Sequence, residues 1–352
     1  MNEAILSARD VEKLLRWYAE SKRDLPWRQT KDPYRIWISE IMLQQTRVEA
    51  VKPYYFRFLE AFPTVEALAN APEEKLMKLW EGLGYYSRAR NLQKAAKSVM
   101  TLYGGKLPES ERELRSLCGI GDYTAGAIAS IAFGIKAPAV DGNVLRVISR
   151  FTGSFADITE QSTKKAMSEA IRAVIPTDAG SFTQALIELG ATVCVPNGEA
   201  RCSSCPLAAR CVAARDGLCD TLPVKSAKKP RRIEKKTVLL IRDGSRTALH
   251  KRGDRGLLAG LYELPNLEGH LSERELPEVI RALGFEPLRI QRIEDSKHVF
   301  THIEWHMIAY TVQITAEFDG YHDRSGMLLV ENGELRARYA IPSAFSAYTR
   351  YL

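Results

Sequence analysis

The most constraining stretch of this chain is Leu-Cys-Gly-Ile-Gly-Asp-Tyr-Thr-Ala-Gly, which begins at Leu117. Ser110 and Glu113 are spaced as a capping box for a short helix ahead of it. The small-residue run 124–132 reads as a second helix behind it. Gly119 and Gly121 then form a tight turn between two helices, where a missing Cβ lets backbone approach a partner closely. Outward N–H groups and the positive end of the second helix make such a turn an anion site suited to a nucleic-acid phosphate. About twenty residues on, Val-Asp-Gly-Asn-Val-Leu-Arg places Asp141 at the start of the next helix, 143–151. An Asp there caps the helix, and it is also available for chemistry.

Six cysteines occur in 352 residues, and four of them, Cys194, Cys202, Cys205 and Cys211, fall within eighteen positions. In a cytosolic chain this density points to a metal centre rather than disulfides. The spacing Cys-x7-Cys-x2-Cys-x5-Cys suits either zinc or a [4Fe–4S] cluster, both of which take four thiolates. The length favours two domains. The hydrophobic fraction of 45% excludes disorder over most of the chain, and the formal charge of +7 permits a polyanionic partner. No apolar run reaches membrane-spanning length, and residues 1–9 lack the features of a secretory signal, so a cytoplasmic protein is expected.

Taken in order, Ser7 caps a helix with Val11, Leu14, Leu15 and Tyr18 on its apolar face. Pro33 starts another over 34–43. Glu40 lies on that helix beside Ile36, Trp37, Ile41 and Met42. By periodicity it faces water; in apolar company its neutral form would be favoured, as a general acid requires. Gln44-Gln45-Thr46-Arg47 is a polar break whose amides suit either a base edge or solvent. The helix 48–62 carries Tyr54, Tyr55, Phe56 and Phe58, read as core. Pro72 marks the first position of a later helix, and a long helix ends at Gly104-Gly105. Between them, Leu83-Gly84-Tyr85-Tyr86-Ser87-Arg88 is a loop able to wedge into a base stack or to staple two helices. Residues 221–236 read as a basic linker with five lysines and two arginines. Beyond it the periodicity turns to strands, 237–242 and 247–251, then 288–315, with a helix capped by Ser272 and Glu275. A last helix is expected after Pro342, and Phe300-Thr301-His302 reads as a hairpin turn.

Together these stretches resemble the MutY-type adenine DNA glycosylases of the helix–hairpin–helix superfamily, over nearly the whole chain. The resemblance is carried by Leu25-Pro26-Trp27-Arg28, Ser39-Glu40 through Thr46, Gly82 through Arg90, Gly119 through Gly126, Val140 through Val144 and the cysteine run. It implies a mainly α glycosylase domain (1–220) with a four-cysteine [4Fe–4S] region held by Cys194, Cys202, Cys205 and Cys211. A linker (221–236) and an α+β, Nudix-like lesion-recognition domain (237–352) would follow. It also implies a monomer acting on double-stranded DNA that contains A:8-oxoguanine or A:G mispairs, with no membrane partner. Glu40 would protonate the flipped adenine and Asp141 stabilise the cationic sugar, with Tyr123 and Asn143 in support. Arg28, Gln45, Thr46, Leu83, Tyr85, Ser87, Arg88, Gly119, Gly121, Thr301 and His302 would contact DNA or the lesion. Apolar packing around Glu40 and the helix N-terminus at Asp141 are expected to drive their pKa values in opposite directions.

The sequence departs from the family in three places. Seven residues, not six, separate the first two cysteines; Thr301 replaces a Ser; and Asp122 adds negative charge beside the glycine turn. Three other readings compete. An endonuclease III-like lyase would need a Lys where Tyr123 stands. A Nudix pyrophosphatase would need a glutamate-rich helix that the C-terminal half lacks. A non-catalytic DNA-binding scaffold would need neither Glu40 nor Asp141.

Overall fold

The computed structural model describes residues 5–227, 230–315 and 326–352. Lys228 and Lys229 of the basic stretch, and residues 1–4, lie outside them. The chain divides into two compact units, Met1–Asn70 with Asn91–Ala227, and Ala71–Arg90 with Lys228–Leu352. Helices, in chain order, are α1 Ala8–Ser21, α2 Pro33–Leu43, α3 Val48–Ala61, α4 Val65–Ala69, α5 Glu73–Trp80, α6 Ser87–Tyr103, α7 Glu111–Ser116, α8 Asp122–Phe133, α9 Gly142–Thr152, α10 Gln161–Arg172, α11 Ala179–Thr192 and α12 Val212–Asp216. Among the described residues no helix is long and apolar enough to cross a membrane.

In the first unit, local chemistry sets most helix starts. Ser7 and Asp10 form a reciprocal capping box on α1, and Asp32 accepts from the N–H groups of Tyr34 and Arg35 ahead of Pro33. The apolar faces of α1, α9, α10 and α11 meet in one core that includes Leu14, Tyr18, Ile148, Phe151, Phe182 and Leu189. Glu188 of α11 is completely buried inside this unit and is bonded by Arg23 at 2.7 Å and Arg28 at 2.7 Å. Burial alone would raise its pKa, but the two guanidiniums win and hold it at about 2. Phe56 departs from the expected aromatic core. Tyr55 and Phe58 are buried, whereas Phe56 is 58% exposed because it points from the opposite side of α3.

The second unit contains a mixed sheet of β1 Arg232–Asp243, β2 Arg246–Lys251, β3 Tyr262–Glu263, β4 Asn266–Glu268, β5 Pro287–Val299, β6 Ile303–Ile314 and β7 Met327–Glu331, with α13 Leu276–Ala282 and α14 Asn332–Arg338. The order is β3-β2-β1-β6-β5, with β4 on β1 and β7 on β2. β1 and β6 run parallel, from Arg232 opposite Ile303 to Arg242 opposite Gln313. Val238 and Leu240 face one apolar cluster, while Leu239 and Ile241 face another. With both faces covered, β1 reads as a continuous apolar run rather than an alternation.

Strand β1 begins at Arg232, inside the stretch read as linker, because its backbone is recruited by pairing with β6. The expected last helix is absent among the described residues. After Pro342 there are only 3-10 turns, Ser343–Phe345 and Thr349–Tyr351, and the helix lies earlier, at α14. Pro72 is the cap of α5 rather than its first residue. Ser272 bonds Glu275, yet the helix starts only at Leu276.

Replacing Glu188 with Ala leaves Arg28 buried without its counter-ion. We expect a loss of about 3–5 kcal/mol in denaturant unfolding, the usual result of breaking a buried pair from one side.

Candidate active site and cysteine cluster

Helix α2 is buried from Tyr34 and Ile36 through Met42, so its periodicity gives no solvent face, and Glu40 is only 7% exposed. This corrects the water-facing expectation. Burial pushes the Glu40 carboxyl up to about 7; the nearby Asp141 charge adds to the rise. The Tyr123 hydroxyl donates to Glu40 Oε2 at 2.8 Å, and this bond and Arg28 pull the value partly back. Tyr123 comes from the first turn of α8, directly after the glycine turn.

Asp141 caps α9. Its Oδ1 accepts from the N–H groups of Asn143 at 2.9 Å and Val144 at 2.8 Å, and its Oδ2 from Asn143 Nδ2 at 2.6 Å. The expected fall in its pKa is corrected. Burial pushes it up, against the opposing bonds from Val144 and Asn143 and the charge of Arg146. Both carboxyls are therefore raised. They differ in that Asp141 receives three donors to its charged form, whereas Glu40 receives one.

Arg146 and Gly190 hold Asn143 in place, a part the motifs did not assign to them. Arg146 donates to Asn143 Oδ1 at 2.8 Å, to the Gly190 carbonyl at 2.7 Å and to the Cys194 carbonyl at 2.7 Å. A Cβ at Gly190 would lie 2.5 Å from that of Asn143, so only glycine lets α11 approach α9 this closely. The available signal was the three-residue step from Asn143 to Arg146, which puts both on one face of a helix.

In the hairpin, Gly119 has φ +78°, and a Cβ there would meet Asn91 at 2.7 Å, so glycine is required twice over. Gly121 precedes α8 with no side-chain cap, leaving the first N–H groups of the helix to an external acceptor. Asp122 is exposed and paired with Arg115 at 3.1 Å, which offsets its charge beside the turn. Arg28 does not present its guanidinium at the surface: its side chain is 9% exposed and bonded to Glu188. Thr46 is half-buried, and Gln45 is exposed with φ +59°.

In the second unit, Tyr85 is 46% exposed with φ +47°, and its hydroxyl lies 2.8 Å from Thr301 Oγ1. Gln45, Tyr85 and Leu258 are the non-glycine residues with positive φ among those described. Such strain costs on the order of 1–3 kcal/mol and gathers at functional sites. Leu83 is buried rather than projecting as a wedge. Arg88 donates to the carbonyls of Leu83 at 2.9 Å and Gly84 at 3.0 Å and stacks on Trp80, and burial lowers its pKa to about 10. Ser87 and His302 are exposed. Phe300 packs edge-on against Trp305, and its N–H bonds the Ile303 carbonyl at 2.8 Å, closing the expected hairpin turn.

Cys194, Cys202, Cys205 and Cys211 line one cavity of about 20 Å³. Cys219, beyond the four-cysteine run, lines it too. Arg150 donates to Cys194 Sγ at 3.3 Å and to the Val195 carbonyl at 3.0 Å. Burial, then neighbouring thiolates, push the Cys205 thiol up to about 12. Among the described residues no group of His, Cys, Asp or Glu is gathered tightly enough for a single metal ion. Four thiols turned to one place, with Arg150 donating to the Cys194 sulfur, are the donor set that a thiolate-bound group takes.

Residues 38–173 match the HhH-GPD superfamily of base excision DNA repair proteins, and residues 237–350 match a NUDIX domain. The fold agrees. A thermostable thymine-DNA glycosylase superposes with a TM-score of 0.53 at 31% identity, covering 58% of this chain and 95% of that one. A trapped endonuclease III–DNA covalent intermediate gives 0.51 at 25% identity, covering 59% and 95%. The class is thus a helix–hairpin–helix DNA glycosylase with a Nudix-like C-terminal domain. The adenine DNA glycosylase of Mus musculus is 36% identical over 86% of this chain and 70% of its own length. That of Buchnera aphidicola (strain Sg) is 31% identical over 86% and 87%. The chain belongs to the adenine DNA glycosylase family.

The Glu40 carboxyl sits at 4.5 when unperturbed and at about 7 when folded. Below 4.5 both states are protonated and burial carries no charge penalty. As pH rises to about 7 the folded state holds the extra proton, so this part of the stability is lost, and above 7 it is constant. We expect Glu40→Gln to flatten the unfolding free energy across pH 4.5–7; an unchanged slope assigns the pH dependence to other groups.

Proposed function

We propose that this enzyme removes adenine mispaired with 8-oxoguanine or guanine from duplex DNA, as a monofunctional glycosylase. The observation that carries the reading is the pair of buried carboxyls, Glu40 and Asp141, one protonatable near neutral pH and the other held by three donors at a helix N-terminus. The names of its relatives support adenine as the base and DNA as the partner.

In this reading the adenine leaves the stack to reach Glu40. Glu40 protonates N7 and makes the base a better leaving group, while the Asp141 carboxylate stabilises the oxocarbenium-like sugar as the N-glycosidic bond breaks. The division of labour parallels a retaining glycosidase, with one carboxyl starting protonated and one ionised. Tyr123 orients Glu40, and Asn143 orients Asp141. Having no lysine at Tyr123, the site lacks a Schiff-base nucleophile, which supports base release without strand cleavage. The glycine turn at Gly119 and Gly121 binds a backbone phosphate. The Tyr85–Thr301 hydroxyl pair, with His302 beside it, reads the opposing 8-oxoguanine. Cys194, Cys202, Cys205 and Cys211 hold a [4Fe–4S] cluster, which supplies a four-point clamp on the loop next to α9. The glycosylase chemistry belongs to the first unit and lesion reading to the second, which includes Ala71–Arg90, in the cytoplasm.

Single-turnover release from A:8-oxoguanine, A:G and A:T duplexes, with and without alkali, tests this. We expect release from the first two only, strand breaks only after alkali, and none with Asp141→Asn although lesion DNA still binds. Binding without release by the unaltered enzyme would favour a scaffold instead.

Release should fall as pH rises through about 7, the value of Glu40. Tyr123→Phe removes a donor to the ionised form, so this alkaline limb should move upward. Thr301→Ala should reduce the preference for 8-oxoguanine over guanine in competition assays, and an unchanged preference removes Thr301 from that role.

A further inference from the structure

Cys219 is eight positions beyond Cys211 and outside the four-cysteine spacing, yet it lines the same cavity, with its sulfur 3.9 Å from Cys202 Sγ. That is nearly twice a disulfide bond, so the two are in contact and not joined. At that separation the two sulfurs are in van der Waals contact, so Cys219 stands beside the position that Cys202 occupies. Cys219 is also held in position. The N–H of Leu218 bonds the Ala213 carbonyl at 2.9 Å, the N–H of Leu222 bonds the Leu218 carbonyl at 2.9 Å, and Arg150 Nε bonds the Leu222 carbonyl at 2.9 Å. Cys202 stands at the far end of the loop that carries seven residues after Cys194. Of the four cysteines, it is the one whose sulfur touches a fifth.

We propose that Cys219 is an alternate ligand for the cluster corner assigned to Cys202, the two thiols exchanging at one iron. In the exchange, the Cys219 thiol releases its proton as its sulfur–iron bond forms. The Cys202–iron bond breaks, and the Cys202 sulfur takes up a proton. No electron moves, so the step needs no oxidant. The inference rests on the iron–sulfur reading of the cysteine cavity.

The test is anaerobic loading of the full chain with ferrous iron and sulfide, read as iron and acid-labile sulfide per chain. Cys219→Ser should load like the unaltered chain. Cys202→Ser should keep most of its iron, Cys202→Ser with Cys219→Ser should lose almost all, and Cys205→Ser should lose it whether or not Cys219 is present. A Cys202→Ser chain as empty as the double variant overturns the exchange alone, as does a double variant that still loads. Failure of the unaltered chain to load overturns the cluster reading with it. A second measurement needs no substitution: iodoacetamide labelling of the loaded chain, mapped by mass, with exposed Cys118 as internal standard. Labelling shared between Cys202 and Cys219, one per chain, supports exchange. Labelling of Cys219 alone, or of neither, overturns it.

Discussion

The first unit depends on helix α9. Its N-terminal end carries the Asp141 cap, and its first turn carries Asn143 against Gly190. Its next two turns carry Arg146 and Arg150, both nearly fully buried and both bonded into the cysteine loop. Buried guanidiniums need partners for their donors, and here the partners are main-chain carbonyls, the Asn143 side-chain oxygen and one cysteine sulfur. The cysteine loop is thereby fixed to the helix that Asp141 caps. Arg210, from the same loop, reaches Asp10 at 2.5 Å and ties it also to the start of α1.

The two carboxyls obtain different chemistry from one environment. Desolvation raises both, and the number of donors separates them. Asp141 receives two main-chain N–H groups and an amide, while Glu40 receives a single phenol. Donors to the charged form oppose the desolvation, three at Asp141 and one at Glu40, and the Arg146 and Arg28 charges act in the same direction. In the second unit, exposure of Tyr85 and Thr301 contrasts with this burial. Phe300 packed on Trp305 gives the turn that carries Thr301 a rigid support.

Legibility followed the range of the forces. Helix starts at Ser7 and Asp32, the stop at Gly104-Gly105, the glycine turn and the β5–β6 turn were readable because each is fixed by residues a few positions apart. The side on which Glu40 lies was not, because α2 is buried continuously from Ile36 through Met42 and periodicity carries no information there. The extension of β1 back to Arg232 depends on β6, some seventy residues away. Phe56 was misread because an aromatic run does not reveal which of its members a neighbouring helix covers. Arg28, expected to contact DNA, is instead paired with buried Glu188, a partner 160 residues away.

The sequence by itself determined the family and supplied the candidate groups, because motifs in a fixed order and local capping rules need no knowledge of distant contacts; that Ala71–Arg90 clusters with the C-terminal unit was not legible in it. Tertiary structure decided how those groups behave. Burial set the direction of both carboxyl pKa values, overturning the one expected for Asp141. Packing brought Gly190, Arg146 and Cys194 to Asn143, and Cys219 to Cys202. Desolvation and long-range contact depend on what surrounds a side chain in space, and neither is encoded in its immediate neighbours along the chain.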